Sequence, residues 1–196
     1  MIKSVSFDSD YRVFKKGDTI EFLPGLNLLV GDQGSGKSSL LGLIRDAAVK
    51  SRDKKVVSIE ATETRVKFFD FEKDNPRVKS HMMDGDMGLF QMHGMFRSHG
   101  EVMRAILDSI PVSDEHAVYL MDEPDMGLSP RSVRKLVQTL SGLVASQHQV
   151  LAAVHNPILI ESVERVYNLE AKTWMTGEAY LDCDSNKFVP ALEKIV

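Results

Sequence analysis

Apolar positions along the chain fall into short blocks separated by turn-forming residues, and the blocks alternate between strand and helix periods. The N-terminal part reads as strands over Ile2 to Phe7, Tyr11 to Phe14 and Thr19 to Leu23, with Lys16-Gly17-Asp18 as a turn between the last two. Pro24-Gly25 makes a further turn. Leu26 to Val30 (LNLLV) is a buried strand feeding a glycine-rich loop and a helix from about Lys37 to Lys50. Val56 to Ala61 and Arg65 to Phe71 are the next strands. Between Glu72 and Arg97 the periodicity lapses among Pro76, glycines and the methionines from Met82 to Met95, and the segment reads as irregular or short-helical. Val102, Ala105, Ile106 and Ile110 then share one helical face.

Ala117 to Met121 is a continuous apolar run of the kind buried on both faces of a parallel sheet. Ser129-Pro130 predicts a helix start, Ser as N-cap and Pro at the first helical position, with Val133, Leu136, Val137, Leu140 and Val144 as the core stripe. Val150 to Val154 is another buried strand, Asn156-Pro157 another helix start, and Val166 to Leu169 a further strand. From Lys172 onward the pattern predicts a terminal hairpin and a short helix closing the sheet. Alternating strands and helices imply a three-layer α/β fold with a mainly parallel sheet and an antiparallel β subdomain at the N-terminus. No repeat, low-complexity segment or linker divides the chain, so residues 1–196 are expected to form one domain.

Composition adds limits. With 43% hydrophobic and 27% charged residues the chain is ordinary for a globular cytoplasmic protein. Its single cysteine, Cys183, rules out an internal disulfide framework and a cysteine-built zinc site. The apolar runs are strand-length and the start MIKSVSFDSD lacks an apolar h-region, so neither a membrane span nor a signal peptide is expected. Against 28 acidic residues stand 24 basic ones, so bulk charge gives no argument for nucleic-acid binding. The local basic groups, Lys50, Arg52, Lys54 and Lys55, and Arg131, Arg134 and Lys135, read as solvated helix ends and faces. His81, His93 and His99 with Asp84 and Asp86 match no compact metal-ligand spacing, and the methionines from Met82 to Met103 read equally as core filling or an adaptable surface.

Chemistry concentrates at Gly31 to Ser38, GDQGSGKS, which fits the phosphate-loop pattern G-x-x-x-x-G-K-[ST] between an apolar strand and a helix. Gly31, Gly34 and Gly36 let backbone N–H groups turn inward around phosphates, with Asp32, Gln33, Ser35 and Ser39 completing the cradle. Lys37 neutralises β and γ oxygens, and the Ser38 hydroxyl is a Mg²⁺ ligand. After the strand AVYLM come Asp122, where a phosphate-loop protein puts a carboxylate on Mg²⁺, and Glu123, placed to act as general base on a water. His155 ends the strand AAVH, at the carboxyl edge of a parallel sheet where ligands bind and within reach of a γ-phosphate. This pairing favours ATP hydrolysis over phosphoryl transfer to an acceptor.

Together GDQGSGKS, VYLMDEP and VHNP resemble the ATP-binding cassette (ABC) ATPase superfamily, and DEPDMGLSP is most similar to its soluble SMC-like and RecF-like branch and small stand-alone cassettes. The resemblance implies a phosphate-loop fold of ABC type, ATP and Mg²⁺ as cofactors, and a split site in which ATP is sealed between two subunits. It requires a signature motif, for which RSHGE offers Ser98 and Gly100; the same S-x-x-E is also a capping box. By the same resemblance Glu72 or Gln91 stands for the glutamine loop, and Tyr11 or Phe14 for an adenine-stacking aromatic. Asp125 to Ser129 stands for the loop that crosses the dimer interface, with Ser129 where the family usually has aspartate. Ser38 and Ser98 are only about sixty residues apart, which leaves no room for a long coiled coil and argues against a permease partner.

The expectation is therefore a cytoplasmic ATPase closing as an ATP-sandwiched homodimer, with catalytic Glu123, His155 and Lys37, to regulate a DNA- or protein-linked process. Two alternatives stay open: a slowly hydrolysing, ATP-gated subunit that binds nucleic acid or protein, and a phosphate-loop kinase for a small metabolite.

Overall fold

The computed structural model describes residues 1–48, 56–62, 65–71 and 116–182. Outside the described residues lie Ser98 and Gly100 of RSHGE, the helix expected over Val102 to Ile110, the methionines from Met82 to Met103, and His81, His93 and His99. So do Asp84, Asp86, Glu72, Gln91, the basic residues from Lys50 to Lys55, and Cys183. No helix among the described residues is long and apolar enough to cross a membrane.

Strands β1 (Ile2–Phe7), β2 (Thr19–Glu21) and β4 (Val57–Ala61) form an antiparallel sheet in the order β2-β1-β4. The main sheet comprises β3 (Leu26–Val30), β5 (Arg65–Asp70), β6 (Ala117–Asp122), β7 (Gln149–Ala153), β8 (Val166–Asn168) and β9 (Thr173–Met175). Its order is β5-β6-β7-β3-β8-β9, parallel from β5 to β8 and closed by antiparallel β9.

The continuous apolar runs are explained by cover on both faces of this sheet. Leu28, Val30, Tyr119, Met121, Val150 and Ala152 point to one side, under helices α2 (Pro130–Ala145) and α3 (Pro157–Glu161). Leu29, Val118, Leu120, Leu151 and Ala153 point to the other, against Leu40, Leu41 and Ile44 of α1 (Lys37–Ala48) and against Val5 and Phe7 of the small sheet. The layers are thus helix, sheet, and helix with small sheet.

Both helix starts follow the expected chemistry. The Ser129 hydroxyl accepts from the Ser132 N–H, and the Asn156 side chain accepts from the Ile158 N–H, each ahead of a proline. The α2 stripe is corrected by one position: Leu143 is buried, while Val137 and Val144 lie at its margin. Tyr11 to Phe14 is a tight turn rather than a strand. Tyr11 and Phe14 exchange backbone hydrogen bonds of 3.0 and 2.9 Å, and Arg12 adopts the left-handed region at φ 53°. Phe14 is thereby stacked on Phe7 with ring centroids 4.3 Å apart. β2 stops short of Leu23 because the Asn27 side chain takes over both Leu23 backbone groups, each at 2.8 Å.

A buried glutamine joins the two sheets. Gln149 of β7 is 1% exposed; its Oε1 accepts from the Ile2 N–H at 2.8 Å, and its Nε2 donates to the Ile2 and Leu23 carbonyls at 2.8 and 3.0 Å. Replacing Gln149 with Ala strands the Ile2 N–H and carbonyl away from water, while the Leu23 carbonyl keeps its bond from Asn27. The expected cost is about 2–3 kcal/mol of unfolding free energy, measurable by urea titration.

Candidate functional site

Strands β6, β7 and β3 are consecutive neighbours, so their carboxyl ends form one rim where ligands bind in open parallel sheets. The glycine loop leaves β3 there, Asp122 ends β6, and His155 follows β7 by two residues.

The loop conformation depends on its glycines. Gly31 sits at φ 143°, and a Cβ there would lie 2.7 Å from Ser35 Oγ. Gly36, at φ 98°, faces Val13 and Phe14, whose atoms would stand 2.7 and 2.9 Å from an added Cβ. Lys37 is 5% exposed, and its Nζ donates to the Gly31 and Asp32 carbonyls at 2.7 and 3.0 Å and to Ser35 Oγ at 3.3 Å. Burial depresses the Lys37 pKa below the ordinary lysine range, against the opposing pull of Glu123, Glu170, Asp122 and Asp32. Gln33, Gly34 and Ser35 border a cleft of about 360 Å³ with Val13, Phe14 and Glu170.

Ser38 Oγ donates to Asp122 Oδ1 at 2.9 Å, although the residues are 84 positions apart. This pair of hard oxygens is of the kind that would hold Mg²⁺. Ser39 Oγ accepts from Arg12 Nη1 at 2.7 Å, a contact that sequence reading missed because nothing in the spacing ties Arg12 to the loop.

Glu123, just beyond β6, has a left-handed backbone at φ 55°, a conformation costing a non-glycine residue about 1–2 kcal/mol. Its N–H donates to the Ala153 carbonyl at 3.1 Å. Its Oε1 lies 3.4 Å from His155 Nε2, and both side chains are partly open to solvent, at 33% and 45%. The arrangement can hold a water beside a carboxylate and present an imidazole to the same space. Asp125, which the sequence marks only as the start of a loop, accepts the backbone N–H groups of His155 and Asn156 on its Oδ2 at 2.7 and 2.6 Å.

Of the two aromatics considered for adenine stacking, Phe14 is 3% exposed and has one face stacked on Phe7, while lining the cleft beside the glycine loop; Tyr11 is half-buried with the Arg12 guanidinium 5.6 Å from its ring centroid. The rim thus gathers Gly31 to Ser39, Asp122, Glu123 and His155.

Comparison with known proteins agrees with this architecture. An AAA domain family matches residues 9–93. UvrABC system protein A of Aquifex aeolicus (strain VF5) is 42% identical over 52 residues, covering 26% of this chain and 6% of that protein. The crystal structure of UvrA2 from Deinococcus radiodurans has the same fold, with a TM-score of 0.62 at 14% identity over 84% of this chain. The match spans 35% of the UvrA2 chain, about a third of its length. Motif order, sheet architecture and these matches together support a phosphate-loop fold similar to that of ABC-type ATPases.

Proposed function

We propose that the chain binds ATP with Mg²⁺ and hydrolyses it, two copies closing around the nucleotide. The observation that carries the reading is the Ser38–Asp122 hydrogen bond of 2.9 Å beside the Glu123–His155 contact of 3.4 Å: a metal-ligand pair and a base with its companion on one sheet rim.

In this reading the loop N–H groups and Lys37 hold the triphosphate, and Lys37 exchanges its three loop acceptors for phosphate oxygens. Ser38 and Asp122 would hold Mg²⁺, which would supply neutralisation of charge on the transferred group. Glu123 accepts a proton from the attacking water, and His155 contacts the γ-phosphate. Ser98 and Gly100 of a second copy complete the site, and loss of the γ-phosphate contact lets the pair reopen. A nucleic-acid or protein partner is the expected receiver of that opening.

An ATPase assay across protein concentration tests the mechanism. Specific activity should rise with concentration and vanish in EDTA. Turnover per chain independent of concentration would contradict the shared site, and a labelled γ-phosphate recovered on an acceptor rather than as inorganic phosphate would favour a kinase.

A further inference from the structure

Asp125 is a buried carboxylate on the rim that the hydrolytic scheme leaves without a task. It is 5% exposed. One oxygen, Oδ2, accepts both the His155 and Asn156 N–H groups at 2.7 and 2.6 Å, lengths typical of charge-assisted bonds. The other, Oδ1, is buried and has no hydrogen-bond partner among the described residues. A buried carboxylate half-satisfied in this way is a poor stabiliser, because burying a charged oxygen without a partner costs free energy.

What the bonds do achieve is geometric. Asp125 lies two residues beyond Glu123, and Glu123 is itself tied to β7 by its N–H bond to Ala153. The Met126 and Leu128 N–H groups return to the Glu123 and Asp125 carbonyls at 3.1 and 3.2 Å, so the segment is a closed turn. The chain after β6 and the chain after β7 are therefore fastened on both sides of the Glu123–His155 contact. Glu123, Asp125, His155 and Asn156 line one cleft of about 300 Å³.

We propose that Asp125 is a positioning residue, whose carboxylate fixes the backbone of His155 and Asn156 so that the imidazole is held in register with the Glu123 carboxylate. The proposal rests on the ATPase reading for its kinetic consequence, while the backbone clamp itself does not. Asp125 touches no reacting atom. It acts through His155.

The test uses the full chain carrying Asp125→Ala, Asp125→Asn, His155→Ala and the Asp125→Ala/His155→Ala pair. Steady-state ATP kinetics, nucleotide titration and amide hydrogen exchange are measured on each. Asp125→Ala should lower kcat by about 10²-fold, the scale of a displacement near 1 Å at a reacting centre, with ATP affinity little changed. Asp125→Asn, which keeps an oxygen acceptor, should recover most of that loss. The double variant should be no slower than His155→Ala alone, since the clamp has nothing left to hold. Additive losses, or a change confined to KM, would overturn the proposal. Should Asp125→Ala fail to fold, the Asn variant decides: kcat as low as in His155→Ala, with both amides still protected, would sink it. Should the wild-type chain show no turnover, the ATPase reading falls and exchange alone judges the clamp. The His155 and Asn156 amides must then lose protection in Asp125→Ala, and their retention would refute it.

Discussion

Replacing Glu123 with Gln is expected to lower ATP turnover by about 10²–10⁴-fold while leaving ATP binding nearly intact, the range ascribed to a positioned general base. The substitution is nearly isosteric, so the left-handed backbone at φ 55° and the Glu123 N–H bond to Ala153 carry over. An amide oxygen still faces His155 Nε2, which the carboxylate approaches to 3.4 Å. What disappears is basicity. The variant should therefore accumulate ATP-bound dimer, read by size exclusion at saturating ATP and Mg²⁺. A monomeric Gln variant under those conditions would remove the shared-site mechanism, and unchanged turnover would remove Glu123 as base.

Lys37→Met should abolish tight ATP binding, weakening it by at least about 10²-fold. Hydrogen bonds to charged groups contribute about 1.5–3 kcal/mol each, and Lys37 would make two or more to the phosphates. The wild-type ammonium is surrounded by Glu123, Glu170, Asp122 and Asp32, so deleting it also leaves a negative rim facing a polyanion. Titration of a fluorescent ATP analogue measures the loss, and the circular-dichroism melt of the nucleotide-free protein shows whether folding is spared. Affinity within a few-fold of wild type would mean that the triphosphate lies elsewhere.

Legibility in the sequence follows the range of the interactions. LNLLV, the phosphate loop, the Ser129 and Asn156 caps and the β6 and β7 runs were readable because neighbouring residues determine them. Tyr11 to Phe14 was misread because its turn is made by Arg12 in the left-handed region, with no glycine, proline or asparagine to announce it. The strand order could not be deduced, since it depends on pairings such as Leu29 with Ala153 across most of the chain. Asp125 and Gln149 escaped notice for the same reason. Each satisfies backbone groups far away, 30 and 147 positions distant, and an acid after a strand or a glutamine within one gives no local hint of that. Ser38, Asp122 and Glu123 are legible as candidates because motif spacing marks their positions.

The close approach at Gly36 has a mechanical side. The N-terminal turn bears on the nucleotide loop with no slack: Val13 and Phe14 already occupy the space a single methyl would need, and Phe14 is braced from behind by Phe7 of the small sheet. The small sheet and the glycine loop are thus linked by an unbroken line of contact, from Phe7 through Phe14 to Gly36, so a change of shape in either is expected to be felt by the other.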